Sequence, residues 1–153
     1  MNKNNLITPN FKYYEIFSGD KKLGKNSIEP PQEYLSNAIN CVKQLQIVRD
    51  ILNGRADLKE RYLQYKLWQD REFKIQITSG YRTPDWNASK YVKGSKNSKH
   101  LKALATDSRC IGLPLFIYYS FLVKYTNFFH FGYYRLKNFV HAGFDDKLIN
   151  FKF

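Results

Sequence analysis

The chain has few of the residues on which several common protein classes depend. Its 153 residues include two cysteines, three histidines and one methionine. Cys41 and Cys110 are too few for a disulfide-stabilised scaffold, and they do not form the closely spaced pairs of a thiolate zinc cluster. We expect free thiols in a reducing compartment, with Cys41 buried in a helix and Cys110 near Asp107. No internal repeat is visible, which argues against solenoid and propeller architectures.

Long apolar segments are also missing. The longest apolar run, Ile111 to Val123, is interrupted by Gly112, Pro114 and Ser120. It is too short and too broken to cross a bilayer. The first residues, MNKNNLITPNF, show neither the apolar stretch nor the small-residue cleavage site of a secretory signal. The sequence therefore predicts no membrane span and no secretory signal.

Acidic residues are scarce relative to basic ones. The chain has 13 Asp and Glu against 25 Lys and Arg, for a formal net charge of +12. Such a charge favours an anionic partner, and wall polymers and nucleic acid both qualify. No helix-turn-helix, zinc-finger or RNA-recognition signature is present, so nucleic acid is the weaker candidate. The alternative is a solvated basic surface without a specific partner.

The composition is that of a folded protein with one domain over residues 1–153. Hydrophobic residues make up 43% and aromatic residues 17% of the chain, which excludes a disordered composition. Residues 1–10 are polar and are expected to be flexible, and residues 18–32 read as a loop. The patterning predicts an α+β fold with a central antiparallel sheet flanked by helices. The predicted elements are an entry strand at 11–17, helices at 33–52, 84–91 and 115–125, and strands at 73–78, 101–108, 128–134 and 138–144, with Gly54 as a left-handed cap of the first helix.

Two of the three histidines lie in segments that suit a metal site. Six residues separate His100 from Asp107, and the run between them leans apolar. His141 follows Phe139 and Val140 in a second short apolar run. Two neutral imidazoles and one carboxylate can bind Zn²⁺ and leave a fourth position for water, which is the arrangement of a hydrolytic site.

The motifs around these residues resemble a known family. They are SGYR at 79–82, Asn87, Gly94, Ser98-Lys99-His100, Ala105-Thr106-Asp107 and Phe139-Val140-His141. In this order they resemble the signature of zinc D-alanyl-D-alanine carboxypeptidases and related peptidoglycan endopeptidases, including the phage-type members. The segments 11–15 and 34–52 resemble the family's entry strand and first helix. The charged segment 55–71 looks like an insertion relative to the family.

The resemblance implies roles for individual residues. It implies that His100, Asp107 and His141 bind zinc on the sheet, and that Arg82 and Ser98 contact the substrate. Arg82 would bind a carboxylate or stabilise the oxyanion, and its alternative is a structural salt bridge. Tyr81 is expected to be core packing, and Asn87 to tie its helix to the following loop.

The general base is the point at which the sequence departs from the family. Many members carry an acid three residues before the last histidine, and others carry one two residues after it. Those positions are Asn138 and Gly143 here. The nearest acids are Asp145 and Asp146, and His130 is the other candidate. We favour Asp145.

The resemblance implies zinc-dependent hydrolysis of peptide bonds in peptidoglycan stem peptides, in phage lysis or wall entry. The partners would be bacterial peptidoglycan, anionic wall polymers and virion proteins. The expected location is the host cytoplasm or the virion, with action at the cell wall. The alternative functions are a non-catalytic virion or wall-binding protein that keeps zinc, and a nucleic-acid-binding domain. The ligands do not distinguish a carboxypeptidase from an endopeptidase.

Overall fold

The secondary structure combines α-helices with short β-strands. A computed structural model describes residues 2–145 of the chain. Its α-helices are α1 Gln32–Asn53, α2 Ala56–Leu63, α3 Pro84–Ala88 and α4 Leu115–Tyr125. Its strands are β1 Leu6–Thr8, β2 Phe11–Lys12, β3 Ser18–Asp20, β4 Gly24–Ile28, β5 Lys74–Ser79, β6 Ala105–Ile111, β7 His130–Tyr134 and β8 Phe139–Gly143. The predicted α+β class is confirmed.

The helix α1 follows the apolar periodicity of the sequence. It begins after Pro31, and its buried face includes Val42, Leu45 and Val48, all fully buried. Gly54 does not adopt the predicted left-handed conformation, because its φ of −80° is right-handed. The chain continues almost directly into α2, so the helix end is closed by the Gly54 amide donating to the carbonyls of the last turn instead.

The central sheet has the strand order β5-β6-β8-β7, and every neighbouring pair is antiparallel. The pairing places Asp107 of β6 directly opposite His141 of β8. It also places His130 of β7 opposite Gly143 of β8. Because side chains alternate across a strand, these positions project from the same face of the sheet.

The long helices α1 and α4 cover the other face. Both helices contact β6 and each other. The Ser108 hydroxyl lies 2.7 Å from the Tyr118 hydroxyl of α4, and both residues are fully buried. Cys110 projects to the same side as Ser108, so the expectation that it lies near Asp107 is wrong. Cys41 is fully buried in α1, and both cysteines are free thiols.

The segment before α1 contains more regular structure than the sequence predicts. Residues 6–8, expected to be flexible, pair as β1 with β2, and the chain then enters a 3-10 helix at Tyr13–Ile16 rather than a continuous entry strand. Residues 18–28, expected to be a loop, form the hairpin β3–β4. The Asp20 carboxylate accepts the amides of Lys22 and Leu23 and so closes the turn.

The charged segment 55–71 forms α2 and then a 3-10 helix at Trp68–Asp70. Leu63 packs into the core, whereas Tyr65 and Trp68 are 94% and 83% exposed. That this segment is an insertion stays a prediction. Within residues 2–145, the helices are too short or too polar to cross a membrane.

Candidate metal centre

Three side chains with metal-binding atoms meet on the open face of the sheet. Asp107 and His141 are held by the β6–β8 pairing, and His100 lies in a 3-10 helix, Lys99–Lys102. That helix ends at Ala103, whose φ of 54° reverses the chain into β6. The ligand atoms of His100, Asp107 and His141 all lie within 4.8 Å of one another. The structure therefore brings the predicted ligand set together.

The spacing of the three ligand atoms suits a small cation. Asp107 Oδ1 lies 3.1 Å from His100 Nε2 and 2.8 Å from His141 Nδ1. The two nitrogens are 3.2 Å apart. Ligand atoms about 2.0–2.1 Å from a tetrahedral zinc would be separated by roughly 3.3 Å. The observed triangle matches this spacing within a few tenths of an ångström.

Two of these three atoms face each other with no proton between them. His100 Nδ1 lies 2.6 Å from the carbonyl oxygen of Gly80, which can only accept, so Nδ1 carries the proton and Nε2 is a lone pair. Burial lowers the pKa of His100 and keeps the ring neutral. Burial opposes ionisation of Asp107, but the hydrogen bond with His141 and the charge of Arg82 favour the carboxylate, and the pKa of Asp107 lies below its usual range. His100 Nε2 and Asp107 Oδ1 are therefore two acceptors that face each other, and a cation between them would satisfy both.

Arg82 binds the second oxygen of the candidate ligand Asp107. Its Nη2 donates to Asp107 Oδ2 at 2.5 Å, and its Nε donates to Ser79 Oγ at 2.8 Å. The two side chains of the ion pair are 13% and 6% exposed. The structural salt bridge considered for Arg82 is thus present, and Arg82 also lines the cleft beside the three ligands. These bonds use two of the five N–H donors of the guanidinium.

His130 lies next to the ligand set, on the same face of the sheet. Its ring stacks on that of His141, with centroids 5.4 Å apart and an interplanar angle of 29°. A Cβ added to Gly143 would lie 2.6 Å from His130 Nε2, so the imidazole occupies the space that a side chain at position 143 would need. Burial lowers the pKa of His130, and His141 and Lys99 act in the same direction.

The other candidates for the general base follow from the departures at positions 138 and 143. Asn138 is a turn residue with a φ of 52° between β7 and β8. The Asp145 side chain is 39% exposed, and its carboxylate lies 3.9 Å from Lys99 Nζ. Asp146 lies outside the described residues. The structure therefore brings His130 to the ligand set, and it places Asp145 beside Lys99.

The remaining predicted residues occupy the walls of the cleft. Ser98 precedes the 3-10 helix of His100 and lines the cleft. Asn87 Nδ2 donates to the Ser95 carbonyl at 2.9 Å, so this side chain does tie α3 to the following loop. A Cβ on Gly94 would overlap the Asn87 amide. Tyr81 is 6% exposed and belongs to the core cluster.

Sequence reasoning missed two residues that position the ligands. The Gly80 carbonyl fixes the tautomer of His100, and a Cβ at Gly80 would lie 2.7 Å from the Cα of Ile16. Ser79 anchors the Arg82 side chain. Both belong to the SGYR motif, so the motif was the available signal, although their contacts depend on the folded chain.

Comparison with known proteins gives one match. The family model described as peptidase M15 matches residues 63–143, just over half of the chain. This range contains His100, Asp107, His141, Arg82 and His130. The upstream segments that resemble the family's entry strand and first helix lie before it. No curated protein and no solved structure matches the chain.

Proposed function

The chain belongs to the peptidase M15 family, whose members are zinc-dependent, and on that premise we propose that it hydrolyses peptide bonds in peptidoglycan stem peptides. Family membership itself supports a metallopeptidase. The observation that carries the proposal is the convergence of His100, Asp107 and His141 on one face of the sheet. The convergence lies at a cleft of about 760 Å³ that can admit a peptide segment.

The three side chains would hold zinc with one position left for water. Zinc bound there would supply a Lewis acid able to polarise the scissile carbonyl and to make water acidic enough to react near neutral pH. The protein's own contribution begins with the Gly80 carbonyl, which keeps the proton on His100 Nδ1 and turns the Nε2 lone pair toward the site. Asp107 presents Oδ1 to the same point, because Arg82 holds Oδ2.

We propose that Arg82 also binds the substrate. Ser79 and Asp107 fix its guanidinium, so little side-chain entropy is lost when a substrate binds. The N–H groups not used in these two bonds can donate to a substrate carboxylate or to the oxygen that becomes negative during hydrolysis. Ser98, on the wall of the same cleft, is proposed to contact the peptide.

His130 is our candidate for the proton acceptor, in preference to Asp145. The acid that some relatives carry two residues after the last histidine is absent here, because that position is Gly143. The glycine leaves room for the imidazole of His130, which enters the same space from the neighbouring strand. His130 Nε2 would take the proton from the attacking water and return it to the leaving amine.

The proposal includes the bacterial wall as the place of action, in phage lysis or wall entry, from the host cytoplasm or the virion. The net charge of +12 supports it, since wall polymers are anionic.

The test is the release of free amine from purified peptidoglycan. Activity should be lost with a chelator, return with zinc and be absent in His100→Ala, and the product masses should name the bond. His130→Ala should lower kcat by about 10²- to 10⁴-fold while zinc content is kept, whereas Asp145→Asn should stay near the native rate. A loss in Asp145→Asn alone would move the role to that residue. One zinc per chain without turnover in any variant would instead favour a non-catalytic wall-binding protein.

A further inference from the structure

The cleft that leads to the three metal-ligand candidates is positively charged along its rim. Lys25, Lys93 and Lys137 line it, and all three are exposed. They come from β4, from the loop after α3 and from the turn between β7 and β8. Because these segments are far apart in sequence, the folding of the chain, and not a run of basic residues, produces this concentration of charge.

Negative charge does not balance these three lysines within the cleft. Asp107 is the one acidic residue among the described residues that line it, and Arg82 already pairs with that carboxylate. Within residues 2–145, Lys25, Lys93 and Lys137 form no ion pair with a carboxylate. A cleft lined by charge of one sign raises the local concentration of ligands of the opposite sign.

We propose that these three lysines, the rim lysines, form a subsite for the free carboxylates of the peptide substrate away from the bond that is cleaved. This inference rests on the proposed function, since the lysines share a cleft with the metal-ligand candidates and must meet the same molecule. Stem peptides contain acidic residues whose carboxylates are either free or amidated. The chain would therefore prefer peptides with free carboxylates over their amidated counterparts.

Charge also determines the size of the expected preference for free carboxylates. Exposed ion pairs contribute about twofold each to binding, so three of them give a preference of about tenfold. The preference should appear in KM, because the rim lysines bind the substrate away from the reacting atoms and contribute equally before and during the reaction. The preference should fall when the salt concentration is raised from about 0.05 to about 0.5 M, because salt screens exposed charges.

The experiment compares two synthetic stem peptides that differ only in whether their side-chain carboxylates are free or amidated. The native chain should cleave the free form with a kcat/KM about tenfold higher. Replacing the rim lysines together, as Lys25→Gln, Lys93→Gln and Lys137→Gln, should remove the preference. The control replaces Lys43, Lys66 and Lys74 by Gln, which are exposed lysines outside the cleft. It lowers the net charge equally and should keep the preference.

Equal cleavage of both peptides by the native chain would overturn the inference and leave the proposed function intact. A control variant that loses the preference as fully as the rim variant would also overturn it, because total charge would then be responsible. So would strong inhibition by soluble poly(glycerol phosphate) with no preference between the peptides, which would assign the rim to a wall polymer.

Failure of the proposed function can be distinguished from failure of the inference. If neither peptide is cleaved, their binding is measured from the fluorescence of Trp86, which lines the cleft, in a Trp68→Phe background. Tighter binding of the free form than of the amidated form, lost in the rim variant, would support the subsite even without catalysis. Equal binding of the two forms, or no binding of either, would overturn it.

Discussion

Replacing Asp107 by Asn tests how the candidate metal centre is held together before any metal binds. Arg82 and Asp107 form an ion pair with side chains 13% and 6% exposed. The substitution keeps the shape but leaves the buried guanidinium without a negative partner. Loss of one member of a buried pair costs about 3–5 kcal/mol, and Asn can keep one hydrogen bond, so we expect about 3 kcal/mol.

This loss is large enough to measure by thermal unfolding. For a chain of this size, 1 kcal/mol corresponds to roughly 2–4 °C, so Tm should fall by about 6–12 °C in the presence of a chelator at pH 7. The matched control is Asp57→Asn, which removes an aspartate from another short ion pair, Arg55–Asp57 at 2.7 Å. Its side chains are 44% and 62% exposed, so no measurable change in Tm is expected.

Two results would refute this reasoning. The first is a Tm for Asp107→Asn equal to that of Asp57→Asn, which would mean that the Arg82–Asp107 pair is fully solvated. The second is a loss that disappears in 1 M salt, a concentration that we choose because it screens only accessible charges. In addition, the double variant Arg82→Met with Asp107→Asn should regain stability relative to Asp107→Asn, since no buried charge is then unpaired.

Three further predictions concern pH, packing and metal. Because the pKa of Asp107 is lowered in the fold, its contribution to stability is present above about pH 4 and is lost as pH falls further. In urea unfolding, a change from about pH 6 to about pH 3 should therefore lower the free energy of unfolding of Asp107→Asn less than that of the native chain. Equal losses in the two proteins would contradict this. Gly80→Ala should lose roughly 1–3 kcal/mol, because its Cβ meets the Ile16 backbone, whereas Gly54→Ala, with 3.4 Å to its nearest contact, should be neutral or stabilising in the same denaturant titration. Zinc should raise the Tm of the native chain, and a rise of equal size in His141→Ala would argue against that ligand.

Elements whose signal is local were predictable from the sequence. The helix predicted at 33–52 is α1, and the helix predicted at 115–125 is α4 with the same bounds. The hairpin β3–β4 was missed, because its second strand is mostly exposed and therefore carries no alternation of apolar residues. What forms that hairpin is the turn at Asp20, whose side chain accepts two backbone amides.

The metal-ligand candidates were predictable because they belong to sequence motifs. The position of His130 was not, because it depends on the register of strand pairing. His100, Asp107 and His141 were predicted from residue type and order, and the fold brings them together. Whether His130 lies beside them depends on the pairing of β7 with β8. A shift of one residue in that pairing would turn His130 to the helix side of the sheet. No local pattern in the sequence reports that register.

The two oxygens of Asp107 serve two tasks, the binding of metal and the positioning of Arg82. The sequence predicted only the first of these for Asp107. Oδ1 faces the two histidines, and Oδ2 is held by Arg82. The carboxylate therefore fixes the guanidinium proposed to bind the substrate at a set distance from the metal-ligand candidates. It follows that losing Asp107 should displace Arg82 as well as weaken zinc binding. A substrate-binding defect that excess zinc cannot rescue would be the sign of this second effect.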